Sequence, residues 1–273
     1  MALSGDERFA LAYGEAELAD RQASDPLRLF HPHAKQRLFI DAVLRNIYWE
    51  NWFVAANRSG KSDAGAYCGA QLARFGTEPL RPSVGPHITV WDRATTGWIV
   101  GPDYGTLTQV LLPKYLDWPT IDVPPGVPHR PFIPRREIDS WDSQAQQGKL
   151  KNGSLLRCKS NEQSQIRFAA AGVDWVHFDE EPAMRNYEEV TLRIEAGRRL
   201  RIFGTCTLLP PEGQVGGVSW LYPQIIRPFL NGKRDIGVWG ASIYDNPHIA
   251  PEEIARLESR YPEGSPTKRI RLD

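Results

Sequence analysis

The chain has 273 residues, of which 41% are hydrophobic, and its 33 basic residues are balanced by 33 acidic ones. This composition allows a sizeable core and predicts one large α/β domain with an appendage, while zero net charge excludes a global field that attracts nucleic acid or membrane. The three cysteines lack CxxC spacing, which argues against a zinc site or a disulfide framework and predicts core thiols in a reducing compartment.

Residues 1–30 are predicted to form a polar, helical N-terminal arm. The segment carries acids and no long apolar run, so we expect neither a signal peptide nor a membrane anchor, and a cytoplasmic protein. Pro32 then predicts the start of a helix that runs through residues 36–45 and directly precedes the first motif.

That motif is FVAANRSGKS, residues 53–62. The apolar run 52–56 predicts a buried strand, and residues 61–75 have the small and apolar spacing of a helix packed on a sheet. Strand, loop and helix form the context that a phosphate-binding loop requires. The residues predicted to bind nucleotide here are Ala56, Asn57, Arg58, Ser59, Gly60, Lys61 and Ser62.

The chemistry of such a loop assigns separate tasks to its residues. Backbone N–H groups point at the phosphates, Lys61 neutralises the β/γ oxygens, and the Ser62 hydroxyl binds Mg²⁺. Gly60 must stay small so that the backbone can approach. Ala55 replaces the expected first glycine, which is tolerated if its φ is negative. The alternative is a strand-to-helix turn that contains Gly-Lys-Ser by chance.

The rest of the chain alternates strands and helices. A strand at 98–100 precedes a helix, six prolines within residues 118–136 predict an irregular surface excursion, and Asn152-Gly153 predicts a hairpin. Further strand and helix signals continue to a last helix at 251–261. The alternation predicts a mostly parallel sheet flanked by helices, with a core at 31–210 and a lid at 211–273.

Two acidic residues follow the buried strand predicted at 173–178. Ligands of parallel sheets lie beyond the carboxyl ends of the strands, so Asp179 and Glu180 are expected beside the phosphate loop. Asp179 would hold the Mg²⁺ water shell, and Glu180 would orient and deprotonate the water that attacks the γ-phosphate. The alternative is a charged strand end that faces solvent.

Five further residues are candidates with open alternatives. Arg58 either reaches a nucleotide, its own or a neighbour's, or is an exposed loop arginine. Arg167 is either a finger delivered to a neighbouring subunit's ATP or a surface arginine. Gln36 either reads adenine or is an exposed helix residue. Thr205 and Thr207 either sense the γ-phosphate or are ordinary strand threonines.

Five stretches together resemble the ATPase domain of the large terminase subunit of tailed phages: HPHAKQ, AANRSGKS, FAAAGVDWVHFDEEP, TCTLLPPEG and YDNPHIAPEEI. They occur in the family's order and spacing over nearly the whole chain. The resemblance implies a RecA-like P-loop ATPase of the additional-strand, catalytic-glutamate type. It implies Mg²⁺-dependent ATP hydrolysis that drives double-stranded DNA into a procapsid.

The resemblance also implies partners and residue roles. The partners are DNA, a portal protein, a small terminase subunit and copies of the chain in a ring in the host cytoplasm, whereas an isolated motor fragment would be monomeric. By resemblance Gln36 contacts adenine, and residues 205–207 couple hydrolysis to movement. Also by resemblance, Asp179 contacts the metal and Glu180 the attacking water, and the phosphates and Mg²⁺ are contacted by Arg58, Gly60, Lys61 and Ser62.

Two departures from the family accompany the resemblance. Alanines follow Phe168 where the family usually has glycine, often with arginine nearby. The resemblance therefore does not identify which arginine acts in trans. The chain also ends near where a nuclease domain would begin, so a motor without its nuclease is expected.

The rival functions are a helicase-like ATPase, for which the chain is short of a second RecA-like domain, and a nucleotide-gated assembly module without turnover. Weak DNA binding is expected from local basic clusters: Arg135/Arg136, Arg198/Arg199/Arg201 and Lys268/Arg269/Arg271.

Overall fold

The computed structural model describes residues 25–76, 94–117, 131–169, 172–193, 200–208 and 219–261, with Gly264 and Leu272. Most of the predicted arm and of the proline-rich excursion therefore lies outside the described residues. The strands are β1 Glu50–Ala55, β2 Thr96–Gly101, β3 Ile138–Asp142, β4 Gln147–Leu150, β5 Leu155–Ser160, β6 Trp175–Asp179, β7 Arg201–Cys206 and β8 Ile236–Ala241.

Helices cover the sheet and connect its strands. The α-helices are α1 Pro26–Leu29, α2 Ala34–Arg45, α3 Lys61–Phe75, α4 Tyr104–Thr106, α5 Leu112–Tyr115, α6 Ile166–Ala169, α7 Met184–Thr191, α8 Arg227–Leu230 and α9 Pro251–Glu258. Two π-helical turns, Leu107–Leu111 and Tyr222–Ile226, precede α5 and α8, and two 3₁₀ turns are Arg135–Glu137 and Ile243–Asp245.

The eight strands form one sheet in the order β3-β4-β5-β2-β6-β7-β1-β8. In this spatial order the last six strands, β5, β2, β6, β7, β1 and β8, are parallel to one another. Strands β3 and β4 add an antiparallel edge beside β5. Every residue of β6 and β7 is buried, as expected for central strands covered on both faces. The predicted α/β fold with a mostly parallel sheet, and the hairpin at Asn152-Gly153, are confirmed.

The phosphate-loop strand β1 and the acidic strand β6 are not neighbours. Strand β7 lies between them and pairs in parallel with both. This intervening strand is the additional strand that was predicted. The carboxyl ends of all three strands meet at one edge of the sheet, and the candidate site lies there.

Helix α3 approaches the sheet closely because it has glycines where it faces large side chains. A Cβ atom on Gly65 would lie 2.1 Å from Nε2 of His177, and one on Gly69 would lie 2.2 Å from the hydroxyl of Tyr115. Both distances are far inside van der Waals contact. The two glycines therefore set the depth at which the helix behind the phosphate loop packs.

Strand β8 lies beyond the predicted domain boundary at residue 210, yet it pairs in parallel with β1 along its whole length. The segment predicted as a lid thus supplies an edge strand to the central sheet. The division into core and lid stays a prediction, since residues 209–218 lie outside the described residues.

Other expectations have separate outcomes. All three cysteines are buried thiols, as predicted. No helix in the described ranges combines the length and the apolar character that a membrane span requires.

The assignment of Arg201 to a DNA-binding cluster is wrong, because its side chain is buried in β7 and donates to the carbonyls of Val43 and Leu44. Arg135 and Arg136 are exposed; the remaining cluster residues, Arg198, Arg199, Lys268, Arg269 and Arg271, lie outside the described residues.

Replacing Gly69 by alanine tests the close approach of α3. At an unhindered helix position this change stabilises by about 1 kcal/mol, but here the new methyl group collides with Tyr115, so we expect a loss of roughly 1–3 kcal/mol. Urea unfolding of Gly69→Ala, Tyr115→Phe and the double variant measures this loss. The double variant should be more stable than the sum of the single effects predicts; additive effects would contradict the collision.

Candidate active site

The phosphate loop joins β1 to α3, as the sequence predicts. Ala55 ends β1 and lies outside the left-handed region, so the alanine in place of the usual glycine causes no strain. Arg58 and Gly60 have φ values of 62° and 79°, and Gly60 is the N-cap of α3. Gly60 cannot be replaced freely, because its φ favours glycine and a Cβ atom would lie 2.5 Å from Nε2 of Gln36.

Lys61 of the loop forms an ion pair with Glu180, the predicted base. Nζ of Lys61 lies 3.2 Å from Oε1 of Glu180, and the lysine is only 7% exposed. The second carboxylate oxygen of Glu180 accepts a 2.9 Å hydrogen bond from the backbone N–H of Thr207. Glu180 itself has a φ of 68°, an uncommon conformation for a non-glycine residue. The chain thus turns sharply at the end of β6, and the glutamate faces the loop.

The two predicted metal ligands lie close together. Asp179 is buried and accepts a 2.8 Å hydrogen bond from the hydroxyl of Thr205, and the Ser62 hydroxyl lies near enough for its hydrogen bonding to lower the pKa of the carboxyl. Burial raises the pKa of the Asp179 carboxyl, and these hydrogen bonds together with the charge of Lys61 act in the opposite direction. A carboxylate and a hydroxyl are therefore held together at the start of α3.

A buried chain of hydrogen bonds continues from Asp179 into the core. An ionised carboxylate only accepts, so Thr205 donates to it; the Thr205 hydroxyl in turn accepts from Nε2 of His177 at 2.8 Å. Nδ1 of that histidine then accepts from the hydroxyl of Tyr115 at 2.9 Å. Burial lowers the pKa of His177 to about 3, so the ring is neutral. The motif reasoning missed His177 and Tyr115; a lone histidine in an apolar strand was the available signal.

The other predicted ligands lie around the loop. Thr207 donates its hydroxyl to Oδ1 of Asn57 at 3.2 Å, so the end of β7 contacts the loop. Ser59 is fully buried, and its hydroxyl has no partner within the described residues. Ala56 donates its backbone N–H to the carbonyl of Ala241 in β8 at 2.9 Å.

Gln36 contacts the loop backbone. Its Nε2 donates to the carbonyl of Gly60 at 2.7 Å, and its Oε1 accepts from the N–H of His33 at 3.0 Å. The alternative interpretation, an exposed helix residue, is wrong because Gln36 is 5% exposed.

The two candidate arginines differ in their surroundings. Arg58 forms an exposed ion pair with Glu253 of α9, and its carbonyl accepts from Nδ2 of Asn246 at 2.6 Å. Arg167 is exposed on α6, and its carbonyl accepts from Lys159. Within the described residues no contact joins Arg167 to the phosphate loop.

Sequence reasoning also missed the role of Glu181. This third carboxylate of the DEEP stretch turns away from the loop and accepts a 3.1 Å hydrogen bond from the N–H of Trp220. The spacing of residues in the sequence does not predict that Glu180 and Glu181 have different partners, because the backbone turn at Glu180 sets the direction of each side chain.

Thr205 is predicted to be essential to the packing of the site even without nucleotide. In Thr205→Val the isosteric side chain leaves the His177 N–H and an Asp179 oxygen without partners, so we expect a loss of roughly 2–4 kcal/mol in unfolding free energy. Thr205→Ser keeps the hydroxyl and should lose much less. Equal losses in the two variants would show that the methyl group, rather than the hydrogen bonds, carries the stability.

Fold and site together define a RecA-like P-loop domain. No protein-family model and no curated protein matches the sequence. Solved structures do: the large terminase of the thermophilic bacteriophage D6E is 12% identical, with a TM-score of 0.60, over 86% of this chain and 52% of that one. The same terminase in complex with ATP-γ-S is 12% identical, with a TM-score of 0.52, over 85% and 50%.

The large terminase ATPase domain of Thermus phage P74-26 is 16% identical, with a TM-score of 0.48, over 90% of this chain and 94% of that one. At such identities the likeness is one of fold, and this fold is shared with the large terminase of phage D6E. The chain spans about half the length of the D6E protein.

Proposed function

We propose that this chain is a Mg²⁺-dependent ATPase that acts as the motor of a phage DNA-packaging terminase. The observation that carries the proposal is the meeting of Lys61 and Glu180, 3.2 Å apart, beside the Ser62–Asp179 pair. A phosphate-binding cation, a metal-binding pair and a base are the groups that ATP hydrolysis requires. The ATP-γ-S complex of the D6E terminase, which shares the fold, adds support.

The donor set suits Mg²⁺. Within the described residues no three or more His, Cys, Asp or Glu side chains form a cluster that could hold a metal by themselves. Mg²⁺ commonly uses one or two protein oxygens and completes its shell with phosphates and water, so Ser62 and Asp179 are sufficient. Ser62 and Asp179 would hold the ion, which would supply positive charge to offset the charge that develops on the phosphates.

The protein's own groups perform the remaining steps. The N–H groups of the loop and Lys61 bind the triphosphate, and Lys61 exchanges its contact with Glu180 for a phosphate oxygen. The N–H of Thr207 keeps the Glu180 carboxylate in place. Glu180 then takes the proton of the attacking water as the water oxygen bonds to the γ-phosphorus and the bond to ADP breaks.

Three variants test the chemistry. Glu180→Gln should bind ATP normally and hydrolyse it roughly 10² to 10⁴ times more slowly, because it removes the base. Lys61→Ala should weaken binding of the triphosphate instead. Glu181→Gln is the matched control, since this carboxylate turns towards Trp220, and it should keep wild-type turnover in a phosphate-release assay. Normal hydrolysis by Glu180→Gln would refute the assignment, and binding without turnover in the wild type would favour the assembly module.

The motor role is supported by the fold of large terminases together with the sequence resemblance. We propose double-stranded DNA as the translocated substrate and a portal protein and a small terminase subunit as partners. The complex would form in the host cytoplasm and act at the procapsid portal. The exposed Arg135 and Arg136 are candidates for DNA contact. The active assembly would be a ring of copies of this chain.

The ring proposal predicts composite sites. Arg167 is exposed and, within the described residues, does not contact its own phosphate loop, so a neighbour's Arg167 would complete the site, and an arginine finger in trans contributes about 10³ to 10⁵ in turnover. Turnover per subunit should therefore rise with protein concentration. Mixing Arg167→Ala with Glu180→Gln should restore activity, because each variant retains the group that the other lacks.

The opposite result of the mixing experiment would contradict an arginine finger supplied in trans. Concentration-independent turnover with no recovery on mixing would favour Arg58 acting in cis. Its exposed ion pair with Glu253 would be no obstacle, since such pairs contribute little.

A further inference from the structure

Two side chains at the start of α2 bind two successive carbonyls of the phosphate loop. Nε2 of His33 lies 2.9 Å from the carbonyl oxygen of Ser59, and Nε2 of Gln36 lies 2.7 Å from that of Gly60. His33 is the N-cap of α2 and Gln36 is the third residue of the helix; the two also form a reciprocal capping box. Because Nδ1 of His33 accepts from the N–H of Gln36, the proton is on Nε2, which donates to Ser59.

This arrangement helps to orient the loop N–H groups, together with the N–H of Ala64, which also donates to the carbonyl of Gly60 at 3.2 Å. In a planar trans peptide the C=O of one residue and the N–H of the next are antiparallel. Holding the carbonyls of Ser59 and Gly60 against α2 therefore turns the N–H groups of Gly60 and Lys61 away from α2. These two N–H groups lie at the start of α3, where they have no intrahelical partner and are suited to bind an anion.

We infer that His33 and Gln36 are positioning residues that preorganise the phosphate loop for a triphosphate group. The inference rests on the proposed function for the presence of a nucleotide. Gln36 is buried, its oxygen accepts from His33 and its nitrogen donates to Gly60. These two bonds hold the amide at the loop through one of its two N–H groups and one of the two lone pairs on its oxygen. The bond to Gly60 also explains the tight fit of that glycine, where a Cβ atom would displace the amide.

Two neutral variants separate positioning from base recognition. Gln36→Met has similar length and no donor for Gly60. His33→Asn keeps a good N-cap residue, because asparagine caps helices well, but its shorter side chain does not reach Ser59. The matched control is Leu38→Gln, a neutral change at an exposed position of the same helix.

Calorimetric titration with three ligands, each with Mg²⁺, measures the effect: ATP, GTP and inorganic tripolyphosphate, which has no base. If the two residues position the loop, each variant weakens binding of all three ligands by the same factor, about fivefold for the loss of one hydrogen bond. Leu38→Gln leaves all three affinities unchanged. The amide ¹H–¹⁵N signal of Gly60 in the ligand-free protein should also shift in both variants and not in the control.

Two outcomes overturn the inference. Loss of ATP affinity in Gln36→Met with unchanged tripolyphosphate affinity would make Gln36 a reader of adenine. Unchanged binding of all ligands in His33→Asn, a variant that keeps the helix cap, would show that the loop needs no such support. Failure of the wild-type protein to bind any of the three ligands is distinct from both, since it would refute the proposed function itself.

Discussion

Strand β7 pairs in parallel with β6 on one side and β1 on the other, and the register of these pairs sets the composition of the site. Asp179 lies opposite Thr205, and Val54 lies opposite Cys206. A slip of one residue would turn the Thr205 hydroxyl to the other face of the sheet. The contact with Asp179 would then be lost, and the bond from Thr207 to Glu180 would be misplaced.

The depth of α3 is the second constraint on the site. Its glycines admit His177 and Tyr115 beneath the helix, and those two groups hold Thr205 in the orientation that supports Asp179. Tyr115, His177, Thr205 and Asp179 are all buried away from bulk solvent, so each polar atom depends on its neighbour for a hydrogen bond. A neutral histidine suits such a place, since it donates and accepts without introducing a second buried charge.

The phosphate loop is held from three directions by backbone contacts. Helix α2 binds the carbonyls of Ser59 and Gly60, strand β8 accepts from Ala56, and Asn246 binds the carbonyl of Arg58. Side chains that act on carbonyls leave the N–H groups of Gly60 and Lys61 for a ligand. The C-terminal segment thereby contacts the loop at β8 and at Asn246.

The amino-acid sequence by itself determined the local architecture: strand, loop and helix around Gly60, the acidic end of β6 and the alternation that makes a parallel sheet. These features depend on periodicity and on residues close together in the chain. Only the tertiary structure decided the partners of Gln36, the chain from Tyr115 to Asp179, the burial of Arg201 and the place of β8 beside β1. Such contacts join residues far apart in sequence, for example Tyr115 and His177, 62 positions apart. A local pattern reports that a side chain is polar, whereas packing decides which distant atom it meets.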